Sequence, residues 1–372
     1  MSGQIHGLVI PKYGMVMTEG ALAAWHVEEG ARIRPGDEMI DIETEKVVNA
    51  YESQVSGVLR RRVAQQGETL PVGALFAVVA EESATDAEID AFIRDFQANF
   101  SPAAAVEGGP RPEVIEAGGC RIRYLRAGDD GGFPILLVHG FGGDLNNWLF
   151  NQEALATDRA VYALDLPGHG GSQKSVGAGD VAALAETVAA FLGALGIGKA
   201  HLAGHSLGGA IALELALARP GLVASLTLLS AAGLGREINS AFIRGMVEAE
   251  RRKEMQVVLQ DLFHDPSLVS RDMVMNILKA RRIDGAVQCL RAIAGRCFAG
   301  GAQQWSARER LSQLSMPAQI IWGTGDRIIP ASHAAGLAAT VPVHVLDNAG
   351  HMVHMERPGD VNRLIRQLVG AN

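Results

Sequence analysis

The chain has 372 residues, 48% of them hydrophobic and 20% charged, with a formal net charge of −8. This length predicts two or three domains with real cores, and the acidic balance argues against a nucleic-acid partner. There is no run of eighteen apolar residues and no basic-then-apolar N-terminus, so no membrane span is expected and the reading is cytoplasmic. Cys120, Cys289 and Cys297 have no metal-ligand spacing and read as small core residues in a reducing compartment, with no metal site expected.

The first 82 residues repeat internally. A shift of 37 residues superposes Gly20 on Gly57, Gly30 on Gly67 and Gly36 on Gly73, and Leu22 on Leu59, Ile33 on Leu70, Ile42 on Val79. Matched glycines supply tight turns, so each half reads as four short strands. Lys46, in Asp41-Ile42-Glu43-Thr44-Glu45-Lys46-Val47, falls between the halves on an accessible turn.

Together with the opening Ile10-Pro11-Lys12-Tyr13-Gly14-Met15-Val16-Met17-Thr18-Glu19-Gly20, this stretch resembles the lipoyl domain of 2-oxo-acid and acetoin dehydrogenase complexes. The resemblance implies an all-β flattened barrel of two similar halves, with lipoate in amide linkage on Lys46. The related biotinyl domain has methionines beside its lysine, whereas Glu45 and Val47 stand there in this chain, so biotin is the weaker reading. Charge follows the same division. Residues 1–84 carry 7 basic and 12 acidic side chains, residues 85–100 carry 1 and 4, and residues 101–372 carry 25 of each. An acidic arm suits docking at electropositive mouths of partner enzymes, and a plain solvated surface accounts for it equally.

Residues 83–112 form a connector. Thr85 with Glu88 reads as a capping box, and Ile89, Phe92, Ile93, Phe96 and Phe100 share one helical face. So short a helix must bury that stripe, either against the chain's own C-terminal domain or against a partner subunit. Residues 101–112, with three prolines and two glycines, read as an extended linker with bends. At about 3.1 Å per residue it could reach roughly 37 Å.

From residue 113 the pattern changes. Strand-like runs at 134–139, 159–166, 199–205, 223–230, 318–322 and 341–346 alternate with helical stretches such as 181–195 and 208–219, which argues for a mostly parallel sheet. Gly204-His205-Ser206-Leu207-Gly208 lies between a strand and a helix, the context of a nucleophile elbow. A serine hydroxyl needs a base, and the base needs an orienting acid. His351 after the last strand and Asp326 after the one before it are the candidates, with Asp165 the runner-up acid. Oxyanion donors are expected from the backbone of Leu207 and, in the loop His139-Gly140-Phe141-Gly142-Gly143, of Phe141. His139, His169 and His205 read as loop braces and His354 as packing.

Residues 113–372 resemble the α/β-hydrolase family, with Asp165-Leu166-Pro167-Gly168-His169-Gly170 as a further family motif. In that family an insertion such as 234–310, with helices expected at 241–263 and 274–298, forms a cap over the site. The whole chain, a lipoyl domain at 1–82 fused to an α/β-hydrolase at 113–372, resembles the acyltransferase components of bacterial acetoin dehydrogenase complexes. This implies acetyl transfer from a lipoyl group on Lys46 to coenzyme A, through Ser206. It also implies thiamine-diphosphate-dependent dehydrogenase subunits, dihydrolipoamide dehydrogenase and a lipoylating enzyme as partners, and a homo-oligomer. Two departures from other acyltransferase subunits stand out. The connector is too short for their subunit-binding domain, and no His-x-x-x-Asp-Gly motif is present, since Asp130-Gly131 and Asp284-Gly285 are preceded four residues earlier by Arg126 and Ala280. No coenzyme A signature is evident, although Arg251-Arg252-Lys253 and Arg281-Arg282 are cationic candidates. The triad alone leaves a thioesterase or esterase open, and a carrier or scaffold with a vestigial triad is the third reading.

Overall fold

The computed structural model describes residues 4–11, 17–43, 48–53, 55–101, 111–337 and 339–370, without the side chains of Val48 and Asn49. The chain divides into two compact units, Met1–Pro110 and Arg111–Asn372. Among the described residues no helix is long and apolar enough to cross a membrane.

The first unit holds eight short strands: β1 (Ile5–Val9), β2 (Glu19–Trp25), β3 (Arg32–Ile33), β4 (Glu38–Glu43), β5 (Val48–Glu52), β6 (Gly57–Arg62), β7 (Thr69–Pro71) and β8 (Leu75–Ala80). They form two four-stranded sheets, ordered β1-β8-β6-β3 and β5-β4-β2-β7. Exchanging each strand for the one four places away converts either order into the other, which is the internal repeat made visible. Gly30 and its match Gly67 have φ of +89° and +86°, conformations that favour glycine. The superposed apolar residues Leu22, Leu59, Ile33, Ile42 and Val79 lie in one shared core. Lys46, the segment Lys12–Val16 and residues 102–110 of the linker lie outside the described residues.

The connector helix α1 (Asp86–Asn99) has the expected capping box, in which the Thr85 side chain accepts from Glu88 N–H while the Glu88 carboxylate accepts from Thr85 N–H. Its stripe packs on the first unit itself. Ile89 joins Leu75, Val78, Ala80 and Ala84 in a second small core of the first unit, with Phe92, Ile93 and Phe96 packed beside Ile5, Val9 and Val63. The reason lies in β8, Leu-Phe-Ala-Val-Val-Ala, which is buried at every position. Phe76, Ala77 and Val79 face the barrel core, and Leu75, Val78 and Ala80 form an apolar outer face that α1 covers. Arg60 and Arg61 on β6 add ion pairs to Asp86, at 3.0 and 3.4 Å.

The second unit is built on an eight-stranded sheet of β9 (Glu113–Ala117), β10 (Cys120–Ala127), β11 (Ile135–Val138), β12 (Val161–Leu164), β13 (Ala200–His205), β14 (Val223–Leu229), β15 (Ala318–Gly323) and β16 (Val343–Leu346). Its order is β16-β15-β14-β13-β11-β12-β10-β9. Pairing is parallel from β12 to β16, and only β9 and β10 run antiparallel to their neighbours. Strands β11 to β14 are buried at every position, so both sheet faces are covered. The helices Val181–Ala194, Leu207–Ala218 and Pro358–Gly370 provide that cover. The cap differs from the two expected helices. Four shorter ones form instead, at Ser240–Glu248, Arg252–Gln260, Arg271–Arg281 and Ala286–Cys297. Arg281 explains one break, because its guanidinium donates to the carbonyls of Met246 and Val247 and so satisfies the end of the Ser240–Glu248 helix. Gly285, at φ +84°, separates the last two.

Candidate active site

Ser206 follows β13, the central strand, and precedes the Leu207–Ala218 helix. Its backbone is held at φ 54° and ψ −119°, a strained position for a residue with a side chain. The surroundings over-determine it. Ser206 N–H donates to Leu229 O at 2.9 Å, and Ser206 O accepts from the N–H groups of Gly209, Ala210 and Ala232. The flanking glycines are demanded by close approach, since a Cβ on Gly204 would stand 2.4 Å from Gly208 O and one on Gly208 would stand 2.2 Å from Val138 O.

Asp326 and His351 follow β15 and β16, at the same end of the sheet. His351 Nδ1 donates to Asp326 Oδ2 at 2.8 Å, with both side chains buried. The carboxylate is otherwise saturated. Trp322 Nε1 donates to Oδ2 at 3.0 Å, and the N–H groups of Ile328 and Ile329 each donate to Oδ1 at 2.9 Å. With Nδ1 protonated, Nε2 is the basic nitrogen of His351. His351 is placed beside the elbow through His205, whose Nε2 donates to His351 O at 2.9 Å and whose ring centre lies 4.7 Å from that of His351.

The Gly140–Gly143 loop closes over the serine. A Cβ on Gly140 would stand 2.8 Å from Ser206 Cβ and 3.0 Å from His205 Nδ1. Among the described residues, neither Phe141 N–H nor Leu207 N–H donates a hydrogen bond, so both are free for a developing oxyanion. Two buried histidines set the loop. His139 Nδ1 donates to Gly140 O at 2.7 Å and its Nε2 accepts from Leu166 N–H at 2.9 Å. His169 Nε2 accepts from Gly142 N–H at 3.1 Å while its Nδ1 donates to Pro167 O. Burial drives the pKa of His139 down and that of His169 to about 3, and each stays a neutral brace.

Asp165 is a structural carboxylate. It accepts from Leu145 N–H at 2.8 Å and Gly171 N–H at 2.6 Å, and pairs with Arg123 at 2.5 Å. His354 is buried with its ring 4.4 Å from Trp148 and 4.6 Å from His205, and burial, then His351, pushes it down to about 3. Arg123, Trp322 and Met246 support the site without belonging to any of its sequence motifs. Trp322 is traceable, since it stands in β15 four residues before Asp326. Of the cationic candidates for coenzyme A, Arg281 is spent on cap carbonyls, while the Arg251 side chain is exposed and comes only within 3.9 Å of Glu254.

These features meet a consistent set of likenesses. A family model described as alpha/beta hydrolase fold matches residues 134–358, and one described as biotin-requiring enzyme matches residues 6–79. A protein of Pseudomonas putida named dihydrolipoyllysine-residue acetyltransferase component of acetoin cleaving system is 49% identical over 362 residues, 97% of each chain. A protein of the same name from Cupriavidus necator is 40% identical over 370 residues, 100% of this chain and 99% of its own. Among solved structures, a meta-cleavage product hydrolase from Pseudomonas fluorescens overlays with a TM-score of 0.64 at 24% identity, covering 70% of this chain and 98% of the other, a likeness of fold.

Proposed function

The chain belongs to the dihydrolipoyllysine-residue acetyltransferase components of acetoin cleaving systems, and from that premise we propose that Ser206, His351 and Asp326 carry the acetyl transfer, with coenzyme A as acceptor. The protein is an acyltransferase component of a multi-subunit system and bears covalently attached lipoate. The observation that carries the proposal is the ordered set of Asp326, His351 and the strained Ser206 beside two free backbone donors.

Lys46 is the proposed attachment point. β4 and β5 pair with Glu43 opposite Val48, and Lys46 falls in the sequence between these two strands. Lipoate there would supply the thiol on which the acyl group arrives as a thioester.

The chemistry follows from the geometry. His351 Nε2 takes the Ser206 proton, and Oγ attacks the thioester carbonyl. The oxyanion accepts hydrogen bonds from Phe141 and Leu207 N–H. Asp326 stabilises the imidazolium, which protonates the thiolate sulfur as the C–S bond breaks and leaves an acyl-serine. The coenzyme A thiol then gives its proton to His351 and attacks, and Ser206 recovers its proton as the new thioester leaves. The proposed partners are a thiamine-diphosphate-dependent dehydrogenase that loads the arm, a dihydrolipoamide dehydrogenase that reoxidises it and a lipoylating enzyme, with the chain assembled as a homo-oligomer.

Two measurements test the assignment. Intact mass from a lipoylating host should rise by one lipoyl group, and Lys46→Arg should remove the rise. A serine-directed phosphonate should label the chain once, and labelling that persists in Ser206→Ala would place the nucleophile elsewhere.

A further inference from the structure

The oxyanion loop is covered by apolar side chains of the cap. Gly142 has φ +74°, and a Cβ built on it would stand 2.3 Å from Met246 Cε, so the methionine tip rests directly on the loop. Phe298 meets the Phe141 ring edge-on at 5.7 Å. Met246, Phe298 and Phe141 are all buried. The methionine is fixed from behind, because Arg281 donates to the carbonyls of both Met246 and Val247.

We propose that Met246 and Phe298 decide the acceptor, committing the acyl-serine to a thiol and holding water away. This rests on the reading of Ser206 as the acyl carrier. An ordered water needs two to four polar partners. A methionine tip and two phenyl rings offer none, and the two free N–H groups are taken by the acyl carbonyl, which leaves water His351 Nε2 as a single partner, short of that minimum. A thiol gives up little hydrogen bonding on entry, and sulfur packs favourably against aromatic edges. The two outcomes differ only in the attacking atom. In both, His351 takes the acceptor's proton, sulfur or oxygen bonds to the carbonyl carbon, the C–Oγ bond breaks and Ser206 is reprotonated. Sulfur gives a thioester and oxygen gives the free acid.

The test uses the lipoylated full chain, the acetyl thioester of dihydrolipoamide as donor and coenzyme A as acceptor, and reads the ratio of acetate to acetyl-coenzyme A. One new polar partner for water, worth about 1.4 kcal/mol, corresponds to about tenfold. Met246→Ser and Phe298→Ser should therefore raise the ratio about tenfold, while Met246→Leu should stay within about twofold of the unaltered protein. Thiol release from the donor without coenzyme A verifies that each variant still acylates. Should Met246→Ser fail that check, Phe298→Ser carries the comparison. Equal partition in the serine variants and Met246→Leu would overturn the inference and leave the transfer reading standing. Acetate as the sole product of the unaltered protein would instead overturn the transfer reading.

Discussion

Ile89→Ala tests whether the connector helix is part of the arm. Ile89 is fully buried among Leu75, Val78, Ala80 and Ala84 of the first unit. Truncating a buried isoleucine costs about 2–5 kcal/mol, and about 3 kcal/mol is a fair value for a residue with half-buried Phe92, Ile93 and Phe96 around it. For a unit of this size each kcal/mol lowers the melting temperature by about 4–8 °C, so the first unit should melt about 12–24 °C lower. Calorimetry on the full chain would read the shift, and amide exchange in β1 and β8 would locate it. The second unit's transition should not move. Arg61→Ala, which removes ion pairs of 3.4 and 3.6 Å from a half-exposed surface, should cost under about 1 kcal/mol. If Ile89→Ala left β1 and β8 protected, or destabilised the second unit instead, the helix would belong elsewhere.

Acid stability provides a second check. His169 and His354 sit at about 3 in the folded chain against about 6.5 when unfolded, so the unfolded state binds protons first. Their contribution is complete above about pH 6.5 and is lost as the pH falls toward 3. At about pH 5 each should already have cost about 2 kcal/mol, and urea titrations showing equal stability of the second unit at about pH 7.5 and 5 would contradict this. Gly140→Ala should abolish phosphonate labelling with little loss of fold, because its Cβ would press on Ser206 Cβ at 2.8 Å; normal labelling would show that the loop yields. Asp326→Asn should slow turnover less than His351→Ala, since the acid orients and stabilises while the imidazole moves the proton, and the reverse order in kcat would refute the assigned roles.

Much of this architecture is readable in the sequence, and the failures have identifiable physical causes. The repeat carries the two-fold relation of the sheets because matched glycines and core residues recur at one spacing. The elbow is readable because its glycines are required by backbone contacts that nothing larger would permit. The stripe on α1 shows that burial is needed but not against what. The clue lay in the six consecutive apolar residues of β8, too many for a strand covered on one face. The β9–β10 hairpin lies outside the expected strands, although Cys120, Ile122 and Tyr124 alternate with Arg121 and Arg123 at strand period. The split cap helices depend on Arg281 reaching carbonyls 34 and 35 residues away, which no local pattern encodes. Likewise, Met246 on Gly142 is a tertiary contact between segments about a hundred residues apart.

The central claim, acetyl transfer through Ser206 to coenzyme A, is tested most directly by one incubation. Lipoylated full-length protein is loaded with acetyl groups, and products are followed with and without coenzyme A, for the unaltered chain and for Ser206→Ala. Acetyl-coenzyme A should form only with the acceptor and with Ser206 in place, and little acetate should appear without it. Acetate released regardless of coenzyme A, or acetyl-coenzyme A formed as fast by Ser206→Ala, would contradict the account.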